Sequence, residues 1–111
     1  MTVSQLIQEL NLEVINSADL DREVVGAYAG DLLSWVMTRL DSDNAYITIM
    51  NNVNVIAVAS LSDAACVILT ENAEVSCEII DKAKNQNINL LRSEKTTFET
   101  SFLIGRMLYD K

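Results

Sequence analysis

One short segment of the chain, Ala65-Cys66-Val67-Ile68-Leu69, is apolar at every position. A half-exposed strand alternates apolar and polar residues, so this continuous apolar run predicts a strand that is covered on both faces. Helices supply such cover when they connect parallel strands. The segment therefore predicts an α/β fold in which residues 65–69 form a central strand between two layers of helices.

The segments around this strand alternate between strand and helix patterns. Short apolar runs predict four further strands, at Leu12–Ile15, Val24–Ala29, Ala45–Ile49 and Ile88–Leu91. Apolar residues at helical spacing predict five helices, at Val3–Leu10, from a cap at Asp31 to Leu40, at Val53–Leu61, at Val75–Asn87 and from Thr96 to Tyr109. Capping boxes at Thr2–Gln5 and Thr96–Glu99 mark two of the helix starts. This order predicts βαβ units with right-handed crossovers, and therefore a mostly parallel sheet with helices on both faces.

The charge of the chain limits its partners. Its 111 residues carry a formal net charge of −8, and the eight basic residues are scattered along the sequence. Nucleic acids and anionic membranes attract clustered Lys and Arg, so we expect no nucleic-acid partner and no membrane partner. No apolar run is long enough for a membrane helix, and Met1–Gln5 lacks the pattern of a signal peptide. We therefore expect a cytoplasmic protein.

Few of the groups that carry catalysis are present. The chain has no histidine, no GxxxxGK[ST] or GxGxxG motif, and no nucleophile elbow around a serine. Cys66 and Cys77 are too few for a zinc site and are expected to be reduced thiols, although Cys77 lies near a helix start that could make it reactive. Solvated faces and helix caps account for the carboxylates. We expect no catalytic residue, no metal and no cofactor.

The segment Gly26-Ala27-Tyr28-Ala29-Gly30-Asp31 allows two interpretations. Two glycines before a helix start could leave backbone N–H groups facing an anion. Alternatively, the glycines let a strand and a helix pack closely.

Several segments resemble, in the same order, those of the DRTGG domain family. The similarity covers most of the chain and is carried by Asp21–Tyr28, Asp31–Ser34, Val36-Met37, Asn54–Ala59, Val67–Thr70 and Thr97-Phe98. The resemblance implies a fold similar to the amino-terminal domain of HPr kinase/phosphatase. It also implies a regulatory or oligomerisation role, as in CBS-domain pyrophosphatases. On this basis residues 1–111 are expected to form a single DRTGG-like domain.

At one loop the chain departs from the family pattern. Where members often have Thr-Gly-Gly, this chain has Thr70-Glu71-Asn72. The loss of both glycines removes an easy close approach of the backbone to a ligand, and the glutamate adds a negative charge. A phosphate-binding role at this loop is therefore not expected.

Ligands of open α/β sheets bind beyond the carboxyl ends of the strands. The predicted ligand-binding residues at that edge are Asn51, Asn52, Thr70, Glu71, Asn72, Arg92 and Ser93. This polar, uncharged-to-acidic edge suits a hydrogen-bonded or cationic ligand better than a polyphosphate. The sequence thus predicts a non-catalytic regulatory or ligand-sensing domain that binds a small ligand or a partner protein.

An alternative is a structural domain for self-association. The last predicted helix carries apolar residues over more than one buried stripe. They are Phe98, Phe102, Leu103, Ile104, Met107, Leu108 and Tyr109. Either the amino-terminal half covers this helix on two sides, or a second copy does. We expect a homodimer through this helix.

Overall fold

The computed structural model describes residues 1–110, and within them five strands and five helices mostly alternate. The strands are β1 (Glu13–Asn16), β2 (Gly26–Ala29), β3 (Asn44–Thr48), β4 (Cys66–Leu69) and β5 (Leu90–Arg92). The helices are α1 (Val3–Leu10), α2 (Leu33–Arg39), α3 (Val53–Leu61), α4 (Cys77–Gln86) and α5 (Thr97–Tyr109). The expected α1 and α3 are confirmed to the residue, and the other elements lie within a few residues of their predicted positions.

The strands form one sheet in the order β1-β5-β4-β3-β2. β2, β3, β4 and β5 run parallel to one another, and β1 alone runs antiparallel, beside β5. β4 is central and all four of its residues are buried. The predicted mostly parallel sheet and its central apolar strand are therefore confirmed.

Two hydrophobic cores lie on opposite faces of this sheet. The helices α2, α3 and α4, which connect successive parallel strands, cover one face, where Tyr46 and Val67 are buried. The helices α1 and α5 cover the other face, where Ile47 and Ile68 are buried. Neighbouring strand residues alternate between the two cores, as the pleat of a strand requires.

Side chains cap four of the helices. Thr2 and Gln5 form the expected capping box of α1, whereas α3 and α4 begin with the caps Asn52 and Ser76. Thr96 caps α5 by accepting a hydrogen bond from Glu99 N at 3.1 Å. The return bond from the Glu99 side chain is absent among the hydrogen bonds of residues 1–110, so only half of this predicted capping box forms.

Two polar side chains anchor the long connection between β1 and β2. Asn89 is 3% exposed and forms four hydrogen bonds with backbone atoms of Ala18, Asp19 and Ala65. Arg22 lies between the carboxylates of Asp43 and Asp63, at 2.9 and 3.0 Å. These contacts hold the connection against the amino-terminal ends of β3 and β4.

The two cysteines lie in different surroundings. Cys66 is fully buried in β4, and burial raises the pKa of its thiol to about 12. Cys77 is exposed at the first residue of α4. The buried thiol is therefore protonated and unreactive in the folded chain. In the described part of the chain, every helix is too short or too polar to cross a bilayer.

Candidate functional site

Four loops meet at one edge of the sheet, because β2, β3, β4 and β5 are parallel and end on the same side. All seven residues predicted to bind a ligand lie at this carboxyl edge. Asn51 and Asn52 follow β3, Thr70, Glu71 and Asn72 follow β4, and Arg92 and Ser93 end and follow β5. Backbone hydrogen bonds join the last two loops, from Asn72 N to Ser93 O at 2.9 Å and from Glu71 N to Lys95 O at 2.8 Å.

Two of the predicted side chains, Thr70 and Ser93, are buried and paired with threonines of α5. Thr70 Oγ1 lies 2.6 Å from Thr97 Oγ1, and Ser93 Oγ lies 2.9 Å from Thr100 Oγ1. These bonds attach the ends of β4 and β5 to the first turn of α5. The two hydroxyls therefore connect the carboxyl edge to that helix.

Glu71 reaches the same helix from the loop after β4. Its Oε2 accepts a hydrogen bond from Thr97 N at 2.8 Å. A carboxylate at the first amide of a helix also interacts favourably with the helix dipole. Glu71 has a φ of 60° and Asn72 a φ of 53°, in the left-handed region that costs a glutamate more than an asparagine. The bond to α5 compensates for this backbone conformation.

The three asparagine side chains of the edge differ in whether they already form hydrogen bonds within the chain. Asn51 Nδ2 donates to Glu74 O at 2.8 Å, and Asn52 Oδ1 accepts from Asn54 N at 3.0 Å at the start of α3. Asn72 is exposed, and its side chain forms no hydrogen bond within residues 1–110. Of the three, Asn72 offers its full hydrogen-bonding capacity to a ligand.

The charge of the carboxyl edge is negative. Four carboxylates lie on its loops, at Asp31, Glu71, Glu74 and Glu94, against the cations Arg92 and Lys95. Both cations form bonds within the chain, and Arg92 Nη1 also donates to Ala73 O, in the loop after β4, at 3.2 Å. Arg92 Nη2 lies 2.7 Å from Glu13 Oε1, and Lys95 Nζ donates to Leu10 O at 3.3 Å. The exposed charge that a ligand meets here is therefore acidic.

Asp31 belongs to this edge as a structural link that sequence analysis missed. Its Oδ1 accepts hydrogen bonds from Thr48 Oγ1 at 2.8 Å and from Ile49 N at 3.3 Å. The expectation that Asp31 caps α2 is wrong, because the cap position is held by Leu32 without a side-chain bond. Asp31 ties the loop after β2 to the loop after β3.

The nearby glycines serve close packing. A Cβ added at Gly26 would lie 2.7 Å from Asn44 Oδ1, and one added at Gly30 would lie 3.0 Å from the Tyr28 ring. Neither glycine has a positive φ. Both close contacts are made with strand residues, of β3 and β2, so the glycines permit tight packing between strands and not the strand–helix packing of the second interpretation.

Surface cavities lie away from this edge. A cavity of about 260 Å³ and a second of about 330 Å³ share Glu9 and Met107 in the groove between α1 and α5. A third recess is open to solvent and lies on α5 around Gly105. None of the seven predicted side chains lines any of these three cavities.

The outer face of α5 exposes large aromatic side chains. Phe98 is 78% exposed, Phe102 55% and Tyr109 72%. The rings of Phe98 and Phe102 are stacked, with centroids 6.5 Å apart, and the Arg106 guanidinium lies 5.8 Å from the Phe102 centroid. The amino-terminal half of the chain therefore does not cover this helix on two sides. Exposed aromatic surface of this kind marks interaction sites.

Within residues 1–110 there is no group of three or more His, Cys, Asp or Glu side chains that could hold a metal ion. Each buried polar side-chain atom of the same residues has a hydrogen-bond partner.

Comparisons with known proteins identify the family of the chain. The sequence model of the DRTGG domain matches residues 5–107. A solved structure of the CBS and DRTGG domains of the regulatory region of Clostridium perfringens pyrophosphatase, complexed with its activator diadenosine tetraphosphate, is similar with a TM-score of 0.73 and 17% identity. The similarity covers 93% of this chain and 45% of that chain, so this chain spans less than half of its length. No curated protein matches.

Proposed function

Because the chain belongs to the DRTGG domain family, we propose that residues 1–111 are a single regulatory domain that acts by binding rather than by catalysis. Its ligand site is the carboxyl edge of the sheet, formed by the seven residues described above. The absence of histidine and of a phosphate-binding motif argues against an enzyme. The charge of −8 argues against a nucleic-acid or membrane partner and fits a cytoplasmic protein.

One observation carries this proposal: the carboxyl edge is bonded directly to the first turn of α5. Thr70, Glu71 and Ser93 each form a hydrogen bond with that turn. A ligand that competes for the Glu71 carboxylate, or that shifts the loop after β4, changes the partner of Thr97 N. The occupancy of the edge is thereby transmitted to the helix that carries the exposed aromatic face.

The charge and the free hydrogen-bonding groups of the carboxyl edge indicate which class of ligand it binds. Exposed carboxylates repel a polyphosphate, whereas Arg92 is paired with Glu13 and the Lys95 ammonium donates to a backbone carbonyl. Asn72 supplies free amide donors and acceptors. We therefore propose a cationic or neutral hydrogen-bonding ligand. The activator of the pyrophosphatase is a polyphosphate, so the ligand of this chain differs from it in charge.

Titration of the folded chain with defined compounds tests this proposal. Spermidine and a neutral hydrogen-bonding compound such as adenosine represent the expected classes, and ATP and diadenosine tetraphosphate represent polyphosphates. We expect calorimetric binding and amide shifts at Glu71, Asn72 and Thr97 from the first group only. Asn72→Leu should weaken that binding roughly tenfold, whereas Asn85→Leu on α4 should leave it unchanged.

Tight binding of a polyphosphate at these amides would contradict the proposed chemistry. ATP turnover by the purified chain, abolished by a point substitution in it, would contradict a non-catalytic role.

Self-association is a second proposed function, favoured by the exposed aromatic face of α5. Phe98, Phe102 and Tyr109 lie on one helix, and solvent-exposed aromatics of this size are uncommon unless they meet a partner. Regulation and self-association are compatible, because the ligand edge is bonded to the same helix.

A further inference from the structure

We propose that the outer face of α5 packs antiparallel against the α5 of a second copy of this chain across a two-fold axis. This inference rests on the second proposed function and specifies its interface. The positions Phe98, Phe102, Gly105 and Tyr109 follow one another at intervals of four, three and four residues. That spacing places them on one stripe of the helix, as at the seam of a coiled coil.

The stripe faces away from the protein. Thr100 and Ile104 are the fully buried residues of α5. Phe102 lies two residues before Ile104, which places it about 160° around the helix from the side that packs on the sheet. The aromatic stripe therefore adds nothing to the core of a single chain and is available to a second helix.

Gly105 provides an independent argument. A glycine inside a helix destabilises it relative to alanine, so its presence needs a reason. Within the chain there is none, because a Cβ added at Gly105 would meet nothing within 4 Å, and its φ is not positive. The missing side chain instead leaves a recess between Phe102 and Tyr109. A recess that the fold does not fill suits an incoming side chain.

The stripe is complementary to itself. When two copies of α5 lie antiparallel about a two-fold axis near Leu103 and Ile104, Phe102 of one copy faces Gly105 of the other. In the same register Phe98 faces Tyr109, again twice by symmetry. An aromatic side chain thus enters each recess, and aromatic pairs close both ends of the contact.

Charge selects this partner and this orientation. Glu99 and Arg106 lie on the same flank of the stripe, one residue after Phe98 and Gly105. They are seven residues apart, about 10 Å along their own helix, which is too far for an ion pair within the chain. In the antiparallel dimer Glu99 of each copy meets Arg106 of the other, whereas a parallel dimer would place the flanks of the two copies on opposite sides of the seam and leave both charges unpaired.

Sedimentation equilibrium from about 1 to about 300 μM tests the interface, because a contact between single short helices suggests a dissociation constant on the order of 10 μM. Phe102→Glu should weaken the dimer at least ~30-fold, as expected for a central aromatic. Leu61→Glu is the matched control, since Leu61 is 79% exposed on α3, and it should leave the dimer unchanged.

Further variants separate the interface from simple misfolding. Gly105→Leu should raise the thermal stability of the monomer, because leucine favours a helix and its Cβ meets open space, yet it should weaken the dimer at least ~30-fold. Arg106→Glu and Glu99→Arg should each weaken the dimer, and the double variant should recover affinity to within about threefold of wild type.

A chain that stays monomeric throughout this range overturns both the inference and self-association. A dimer that is insensitive to Phe102→Glu and Gly105→Leu overturns the inference but leaves self-association through another surface. Failure of the double charge reversal to restore affinity overturns the antiparallel register. Ligand binding at the carboxyl edge is measured separately, on monomeric Phe102→Glu, and its result does not depend on whether the chain dimerises.

Discussion

Replacement of Asn89 by leucine is expected to lower the free energy of unfolding by about 3–5 kcal/mol. Asn89 Oδ1 accepts from Ala18 N at 2.7 Å and from Asp19 N at 2.9 Å. Its Nδ2 donates to Asp19 O at 2.7 Å and to Ala65 O at 2.9 Å. Leucine fills a similar volume but removes the partner of Ala18 N, Asp19 N and Ala65 O, whereas Asp19 O keeps its bond from Arg22 N at 3.4 Å. Partly or fully buried groups that lose their partner cost more than a hydrogen bond contributes.

Urea unfolding followed by circular dichroism measures this effect. Asn85→Leu is the matched control, because Asn85 is exposed on α4 and makes no side-chain hydrogen bond within residues 1–110. We expect the control to change stability by less than about 0.5 kcal/mol. A loss below 1 kcal/mol in Asn89→Leu would mean that water replaces the amide and that the connection between β1 and β2 is held by other contacts.

Replacement of Arg22 by methionine is expected to lower the free energy of unfolding by about 2 kcal/mol. Arg22 Nε and Nη2 donate to Asp43 Oδ1 at 3.1 and 2.9 Å, and Nη2 lies 3.0 Å from Asp63 Oδ1. Methionine keeps the apolar stem but leaves two carboxylates without their shared cation. Partial exposure of both carboxylates limits the loss, because solvent screens their repulsion.

The effect of Arg22→Met should depend on pH. The pKa of Asp63 is lowered in the folded chain by hydrogen bonds from Ser42 and Arg22. A lowered pKa adds stability that is fully present above the unfolded value and is lost as the pH falls through the folded value. The difference between wild type and Arg22→Met should therefore be constant near neutrality and shrink below about pH 4.

Arg39→Met provides the comparison for Arg22→Met, because Arg39 is exposed and stacks on Trp35 at 4.1 Å. We expect a change of less than about 0.5 kcal/mol from it at any pH. A pH-independent loss in Arg22→Met would instead indicate that packing, and not the ion pairs, accounts for the role of Arg22.

The layers of the fold follow from local patterns. The run at residues 65–69 predicted a strand buried on both faces, and β4 is one. The bounds of α1 and α3 were predictable because each combines an apolar pattern with a capping side chain, Thr2 or Asn52. Short-range hydrogen bonds and the period of the helix are both visible in a single sequence.

The hydrogen bonds between segments that are distant in the chain had no such local signal. The bond from Thr97 N to Glu71 spans 26 residues, and those from Asn89 to the loop after β1 span about 70. Sequence analysis expected Asp31 and Glu99 to act in their own helices, but Asp31 binds another loop and the Glu99 side chain gives no return bond to Thr96. Short polar side chains bond whichever backbone group the tertiary fold brings near them.

In α5 one feature was predictable from the sequence and another was not. The sequence predicted more apolar surface on this helix than one buried stripe can cover, and the exposure of Phe98, Phe102 and Tyr109 confirms that excess. The significance of Gly105 was not predictable, because a helical glycine explains nothing until its surroundings are known. Only the fold shows that this glycine lies on the exposed stripe.

Amide hydrogen exchange in Glu71→Asn tests most directly the claim that the carboxyl edge is coupled to α5. Asparagine tolerates the φ of 60° but is one methylene too short to reach Thr97 N. We expect loss of protection at Thr97 and exchange at least about threefold faster through the second turn, from Thr100 to Leu103. Glu94→Gln, an exposed neighbour, should leave α5 unchanged. A loss of protection confined to Thr97, or none at all, would contradict the coupling and the regulatory role built on it.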